Sequence, residues 1–213
     1  MEKLTLVIGN KNYSSWSMRP WVLLKHFKIP FDEIFIPLGK PESKQNILKH
    51  SPAGKVPILK HGKLVVWESL AIAEYAAEIF PEKNLWPEDK EARAVARAVS
   101  SEMHAGFMSL RKTCPMNVRA NKPLAELTPE VKADVARLSA LWEDCRKRFG
   151  QGGDFLFGTF SIADAMYAPV IWRIKTYALP ISGAAQKYCA AMLDLPAMKE
   201  WQKAAVEEPQ AIP

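Results

Sequence analysis

Two hydroxyls, Ser14 and Ser15, lie in the run Tyr13-Ser14-Ser15-Trp16-Ser17-Met18-Arg19-Pro20, just ahead of a segment with helical periodicity. Free backbone N–H groups and the helix dipole favour an anion at such a start, so a bound thiolate would be stabilised there. The same serines serve equally well as helix caps. Further along, Trp67-Glu68-Ser69 opens another helical segment. Its carboxylate can receive an ammonium while Ser69 and the helix N–H groups receive a carboxylate, which makes the α-amino-acid end of a ligand a natural guest. As a purely local feature it is an acidic first turn with a serine cap. Lys55-Val56-Pro57 carries an X-Pro bond that can adopt the cis form and present the backbone of Val56. Ser161-Ile162-Ala163-Asp164 reads as a capping box, whose work is folding rather than chemistry.

Other chemistries are disfavoured by what is missing. GxGxxG, the Walker A pattern, HExxH, GxSxG and CxxC do not occur. His26, His50, His61 and His104 have no ligand-like spacing to one another or to the cysteines, so no metal site is expected. Cys114, Cys145 and Cys189 are odd in number and far apart, which fits a reducing compartment better than a disulfide framework. The chain has 213 residues, 48% of them apolar and 24% charged, within ordinary globular usage. Lysine and arginine exceed aspartate and glutamate by 29 to 23, but the excess is scattered. A small anionic ligand is thus a better expectation than nucleic acid. Neither a secretory leader nor an apolar run of membrane-spanning length is present, so the expected location is cytoplasmic, with no membrane partner.

These residues need elements to hold them. Leu4 to Ile8 alternates as a strand, and Trp16, Pro20, Leu23, Leu24 and Phe27 recur at helical spacing. Because proline is best tolerated in the first turn, the N-cap is expected near Ser17. A second strand over Phe31–Leu38 and a short helix over Ser43–His50 follow, then a hairpin, Val56–Lys60 with Leu64–Trp67, across His61 and Gly62. A helix over Ser69–Phe80 is stopped by Pro81. Beyond a linker at 82–88 the chain reads as all helix. Ala92, Val95, Val99, Met103, Phe107 and Leu110 trace one long stripe, and Val131 to Phe149 another. A third helix starts at Ser161, two shorter ones cover Ala184–Leu193 and Pro196–Val206, and the tail from Pro209 is expected to fray. The fold class is therefore an α/β thioredoxin-like domain at 1–81 followed by an all-α helical bundle at 89–213.

Taken together, Ser14-Ser15-Trp16-Ser17-Met18-Arg19, Lys55-Val56-Pro57, Glu68-Ser69-Leu70-Ala71-Ile72 and Ser161-Ile162-Ala163-Asp164 resemble the cytosolic glutathione S-transferases in order and separation. The resemblance implies a thioredoxin-like domain that holds the co-substrate glutathione, a helical domain that contributes the pocket for a small electrophile, and a homodimer. It implies that Glu68 and Ser69 hold the γ-glutamyl end, that Val56 offers its backbone to the cysteinyl part before a cis Pro57, and that Lys55 occupies a polar ligand-binding position. The catalytic hydroxyl would be Ser15 or Ser14, with Ser14 the choice from its distance to Arg19. The serine pair is similar to the zeta class, which includes maleylacetoacetate isomerases, although Trp16 stands where that class has cysteine. A non-catalytic interaction module on the same fold is the other alternative. Met103, His104, Phe107 and Arg111, on the helix that faces the cleft in this family, would line the electrophile pocket.

Overall fold

The computed structural model describes residues 2–212. Four strands, β1 (Leu4–Ile8), β2 (Phe31–Phe35), β3 (Ile58–His61) and β4 (Leu64–Trp67), form one sheet in the order β2-β1-β3-β4. β1 runs parallel to β2 and antiparallel to β3, and β3 returns antiparallel into β4. The alternation in β1 works as a strand's period of two requires. Leu4, Leu6 and Ile8 join the main core, while Val7 packs with Ile36, Ile47 and Ile58 on the opposite face. Helix α1 (Ser15–His26) and helix α3 (Ser69–Ile79) pack together, and their apolar residues share the main core with Leu4, Leu6 and Ile8; α2 (Ser43–Leu48) supplies Ile47 to the second cluster.

The second half is helical: α4 (Lys90–Ala105), α5 (Met108–Thr113), α6 (Pro129–Phe149), α7 (Ile162–Tyr177), α8 (Gly183–Asp194) and α9 (Pro196–Glu207). α7 is its axis. Of its residues only Lys175 escapes burial, and it packs against α1, α4 and α8. Residues 82–88 are not a free spacer: Leu85 and Trp86 are buried, and Leu85 O accepts from Ile162 N–H at 2.9 Å.

Several expectations need correction. The N-cap of α1 is Ser14, not Ser17, because the helix tolerates Pro20 in its interior. β2 stops at Phe35 rather than Leu38, and β3 starts only at Ile58. The long stripe from Ala92 to Leu110 belongs to two helices. Gly106 is extended and Phe107 is left-handed at φ 56°, so the helical path breaks between them. Arg111 Nη1 donates to His104 O and Gly106 O, and Asp134 of α6 accepts from Leu110 N–H at 2.8 Å, satisfying groups that the break would leave orphaned. The tail is not frayed across its described part. The Glu208 carboxylate accepts from Lys11 and Asn12 N–H, and Arg119 donates to Glu208 O and Gln210 O.

Candidate functional site

A cavity of about 340 Å³ opens where α1, the approach to β3, the entry to α3 and the end of α4 converge. Trp16, Lys55, Val56, Pro57, Trp67, Glu68 and His104 line it. The Val56–Pro57 peptide bond is cis. At the entry to α3 Glu68 has φ 70°, a left-handed conformation that costs a non-glycine residue of order 1 kcal/mol or more, and its side chain stays half exposed. Next to it the Ser69 hydroxyl is buried with no hydrogen-bond partner among the described residues. A strained backbone, an exposed carboxylate and a buried unpaired hydroxyl at one helix start mark a place built to meet something other than the protein itself.

The cavity thus gathers Lys55, Val56, Pro57, Glu68 and His104 from the residues the sequence singled out. Neither Ser14 nor Ser15 lines it. Ser14 is buried, its hydroxyl donating to Ser17 Oγ at 2.7 Å and accepting from Ser17 N–H, while Ser17 Oγ accepts from Gly9 N–H. Ser15, the first residue of α1, is half-buried, and its hydroxyl makes no hydrogen bond among the described residues. Met103 and Phe107 do not line the cavity. Both are buried in the main core, as their places on the apolar stripe favour.

Trp16, which the sequence offers as part of a helical stripe and of the serine-rich motif, forms one wall and gathers charges around it. The guanidinium carbons of Arg19 and Arg111 lie 4.2 and 4.5 Å from its ring centroid, and His104 meets it edge-on at 5.2 Å. His104 Nε2 approaches the Glu68 carboxylate at 3.5 Å. Burial, with help from Arg19, lowers the His104 pKa and so favours a neutral imidazole. Trp67, nearly half exposed, forms another wall, for which the sequence carried no signal beyond its place before Glu68.

Cysteine chemistry has no foothold nearby. Burial pushes Cys145 and Cys189 up to about 12 and raises Cys114 as well, so none offers a thiolate. A larger cleft of about 770 Å³, between His26, Trp86, Phe149 and Phe160, gathers none of the candidate residues.

Comparison with known proteins defines the class. The glutathione S-transferase N-terminal domain family matches residues 13–79, and the glutathione S-transferase C-terminal domain family matches residues 125–204. The chain belongs to the cytosolic glutathione S-transferase family. It is 25% identical to Glutathione S-transferase 1 of Dianthus caryophyllus over 80% of this chain and 76% of that one. It is 28% identical to a probable maleylacetoacetate isomerase of Caenorhabditis elegans, over 79% and 77%. Among solved structures, a glutathione transferase homolog from Burkholderia, determined with bound glutathione, superposes with a TM-score of 0.72 at 22% identity, covering 97% of this chain and 99% of that one.

Proposed function

We propose that this protein is a glutathione transferase that binds glutathione in the 340 Å³ cavity and activates its thiol for attack on small electrophiles. The observation that carries this reading is the pairing of an exposed Glu68 carboxylate with the buried, unpartnered Ser69 hydroxyl at the start of α3. Glu68 receives the α-ammonium of the γ-glutamyl end, and Ser69 with the α3 N–H groups receives its carboxylate. The Val56 backbone hydrogen-bonds the cysteinyl part, and Lys55, exposed at the rim, meets a terminal carboxylate. That arrangement directs the thiol toward Trp16 and the start of α1.

A free thiol of pKa about 8.5 is only about 3% ionised at pH 7. Lowering it by about two units raises the thiolate to roughly 75% and needs about 2.7 kcal/mol of preference for the anion. One hydroxyl donor plus a helix N-terminus supplies energy of that order. The donor comes from the Ser14–Ser15 pair. Ser14's proton is engaged by Ser17, which leaves Ser15 the freer donor. Serine here donates a hydrogen bond and is not itself the attacking group.

Ultraviolet absorbance of bound thiolate against pH tests binding and activation together. A bound-thiol pKa well below the free value, restored toward it in Ser15→Ala or in Ser14→Ala, identifies the donor. Conjugation should fall about ten- to a hundredfold in that variant, with glutathione affinity little changed. An undisturbed pKa in both variants, with turnover unchanged, overturns the serine assignment. Saturable binding with no shift in the wild type favours the non-catalytic module instead. The protein is further proposed to be a cytoplasmic homodimer; the apolar Leu64 and Trp67, exposed on the edge strand β4, support pairing, and light scattering would read the mass.

A further inference from the structure

The nine arginines differ in how their charge is met; Arg93, Arg119 and Arg146, all at least partly exposed, bond only uncharged acceptors. Arg97, Arg137 and Arg148 lie at the surface, and each has a carboxylate partner: Glu74, Glu102, and Glu91 with Asp144. Arg19 and Arg111, packed against Trp16, and Arg173, buried close enough to act on Arg19, have none among the described residues. Their hydrogen bonds go only to backbone carbonyls: Arg19 Nε to Met166 O, Arg111 Nη1 to His104 O and Gly106 O, and Arg173 Nε to Cys114 O. Arg19 is 2% exposed and its Nη1 is buried without an acceptor among the described residues. A buried cation is ordinarily paired, because an uncompensated one costs several kcal/mol.

These guanidiniums also weaken one another. Burial, and then the charges of Arg111 and Arg173, bring the Arg19 pKa well below its ordinary value, and burial followed by Arg111 brings Arg173 down to about 10. Carbonyl bonds tie α1, α5 and α7 together but leave that repulsion in place. A structural staple of this kind would be better served by a neutral donor. Among the described carboxylates only Glu68 acts on Arg19, alongside the Tyr167 phenol, and His104 faces the same wall lowered in pKa and so adds no positive charge.

We propose that this wall selects an electrophile that carries a carboxylate, held by Arg111 beside Trp16 with the Arg19 and Arg173 charges close to it. The proposal rests on the glutathione reading, under which the bound ammonium occupies Glu68 and leaves the arginines facing the second substrate without a protein carboxylate. Arg111, not itself among the residues lining the cavity, is the proposed contact because it is half-buried, lies over Trp16 and bonds the carbonyl of His104, both of which line it. Arg19 and Arg173 act through the field they create.

The test uses the full chain with saturating glutathione and a matched pair, 4-chloro-3-nitrobenzoate and 4-chloro-3-nitrobenzamide. In both, the thiolate sulfur bonds the chlorine-bearing ring carbon and chloride leaves with the C–Cl electron pair, while the thiol proton passes to solvent. Each kcat/KM is divided by the uncatalysed rate constant with glutathione, so that only recognition is compared. The benzoate should be favoured by about tenfold, the preference should fall at least about fivefold in Arg111→Gln, and Arg111→Lys should recover part of it. A wild-type ratio near one, or a ratio that Arg111→Gln leaves unmoved, overturns the proposal. Should neither compound turn over, the transferase reading fails on its own. Calorimetric titration with the unreactive 3-nitrobenzoate and 3-nitrobenzamide then still decides: tighter benzoate binding supports the anion site, and equal affinities overturn it. The wild-type arm also decides by itself if Arg111→Gln does not fold.

Discussion

The starts of α3 and α7 each carry a serine and a carboxylate, adjacent in Glu68-Ser69 and three residues apart in Ser161 and Asp164, and they differ in what those groups meet. At α7 Asp164 is fully buried and accepts from Leu156 N–H at 3.1 Å, Ser161 N–H at 2.8 Å and the Ser161 hydroxyl at 3.2 Å. At α3 Glu68 is strained and half exposed, and the Ser69 hydroxyl is buried without a partner. A helix start that closes on itself stabilises the fold. One that leaves its polar groups open keeps them for a ligand. The contrast makes separable predictions, because changes at α7 should move stability while leaving glutathione affinity largely intact, and changes at α3 should do the reverse.

The largest effect belongs to Asp164→Ala, which strands the buried N–H groups of Leu156 and Ser161 and removes a cap. It should destabilise the fold by about 3 kcal/mol or more in urea unfolding. pH probes the same group. Burial raises the Asp164 pKa to about 6 despite its hydrogen bonds, so the folded state holds this proton more tightly than the unfolded state does. The stability contribution of Asp164 is therefore full below about pH 4 and declines as pH rises to about 6. The stability difference between wild type and Asp164→Asn, measured across that window, should shrink accordingly; a difference that grows with pH would break the assignment.

At α3, Glu68→Gln removes the anion proposed to receive the ammonium and should weaken glutathione binding by about ten- to a hundredfold, with little change in unfolding free energy. Glu68→Gly sharpens the point. Glycine accepts the positive φ, so the variant should gain up to about 1 kcal/mol of stability while losing affinity. The smallest effect is expected from Ser69→Ala, which deletes an unpaired buried hydroxyl. Calorimetry should find affinity reduced by about tenfold and thermal unfolding unchanged or slightly raised. Loss of stability in Ser69→Ala would mean that the hydroxyl is satisfied within the protein.

Local features were legible where local physics governs. The alternation of β1, the turn at Gly62 and the capping carboxylate of Asp164 are all set by neighbours in sequence, and the structure keeps them. The gathering of Lys55, Val56, Pro57, Glu68 and His104 in one cavity was reachable through the family resemblance. The break at Gly106 was hidden because the apolar spacing from Ala92 to Leu110 carries across it unaltered; only the glycine itself hinted at it. In the sequence Trp16 stands out only through its helical spacing and the serine-rich motif, and its contact with Arg111 joins segments far apart in the chain. Pro20 argues for an N-cap near Ser17, but periodicity alone does not show when packing compensates a lost backbone bond.

The clasp between Glu208 and the N–H groups of Lys11 and Asn12 carries a consequence for the order in which the protein is made. The sheet and α1 can assemble from early segments, but the turn leading into α1 is fastened by a carboxylate 196 residues downstream of Asn12. Contacts of such long sequence separation form late, after the loop-closure entropy has been overcome. During synthesis, the serine-bearing turn therefore stays unfastened until α9 has been completed, so a nascent chain holding the whole thioredoxin-like half would not yet present a finished active site.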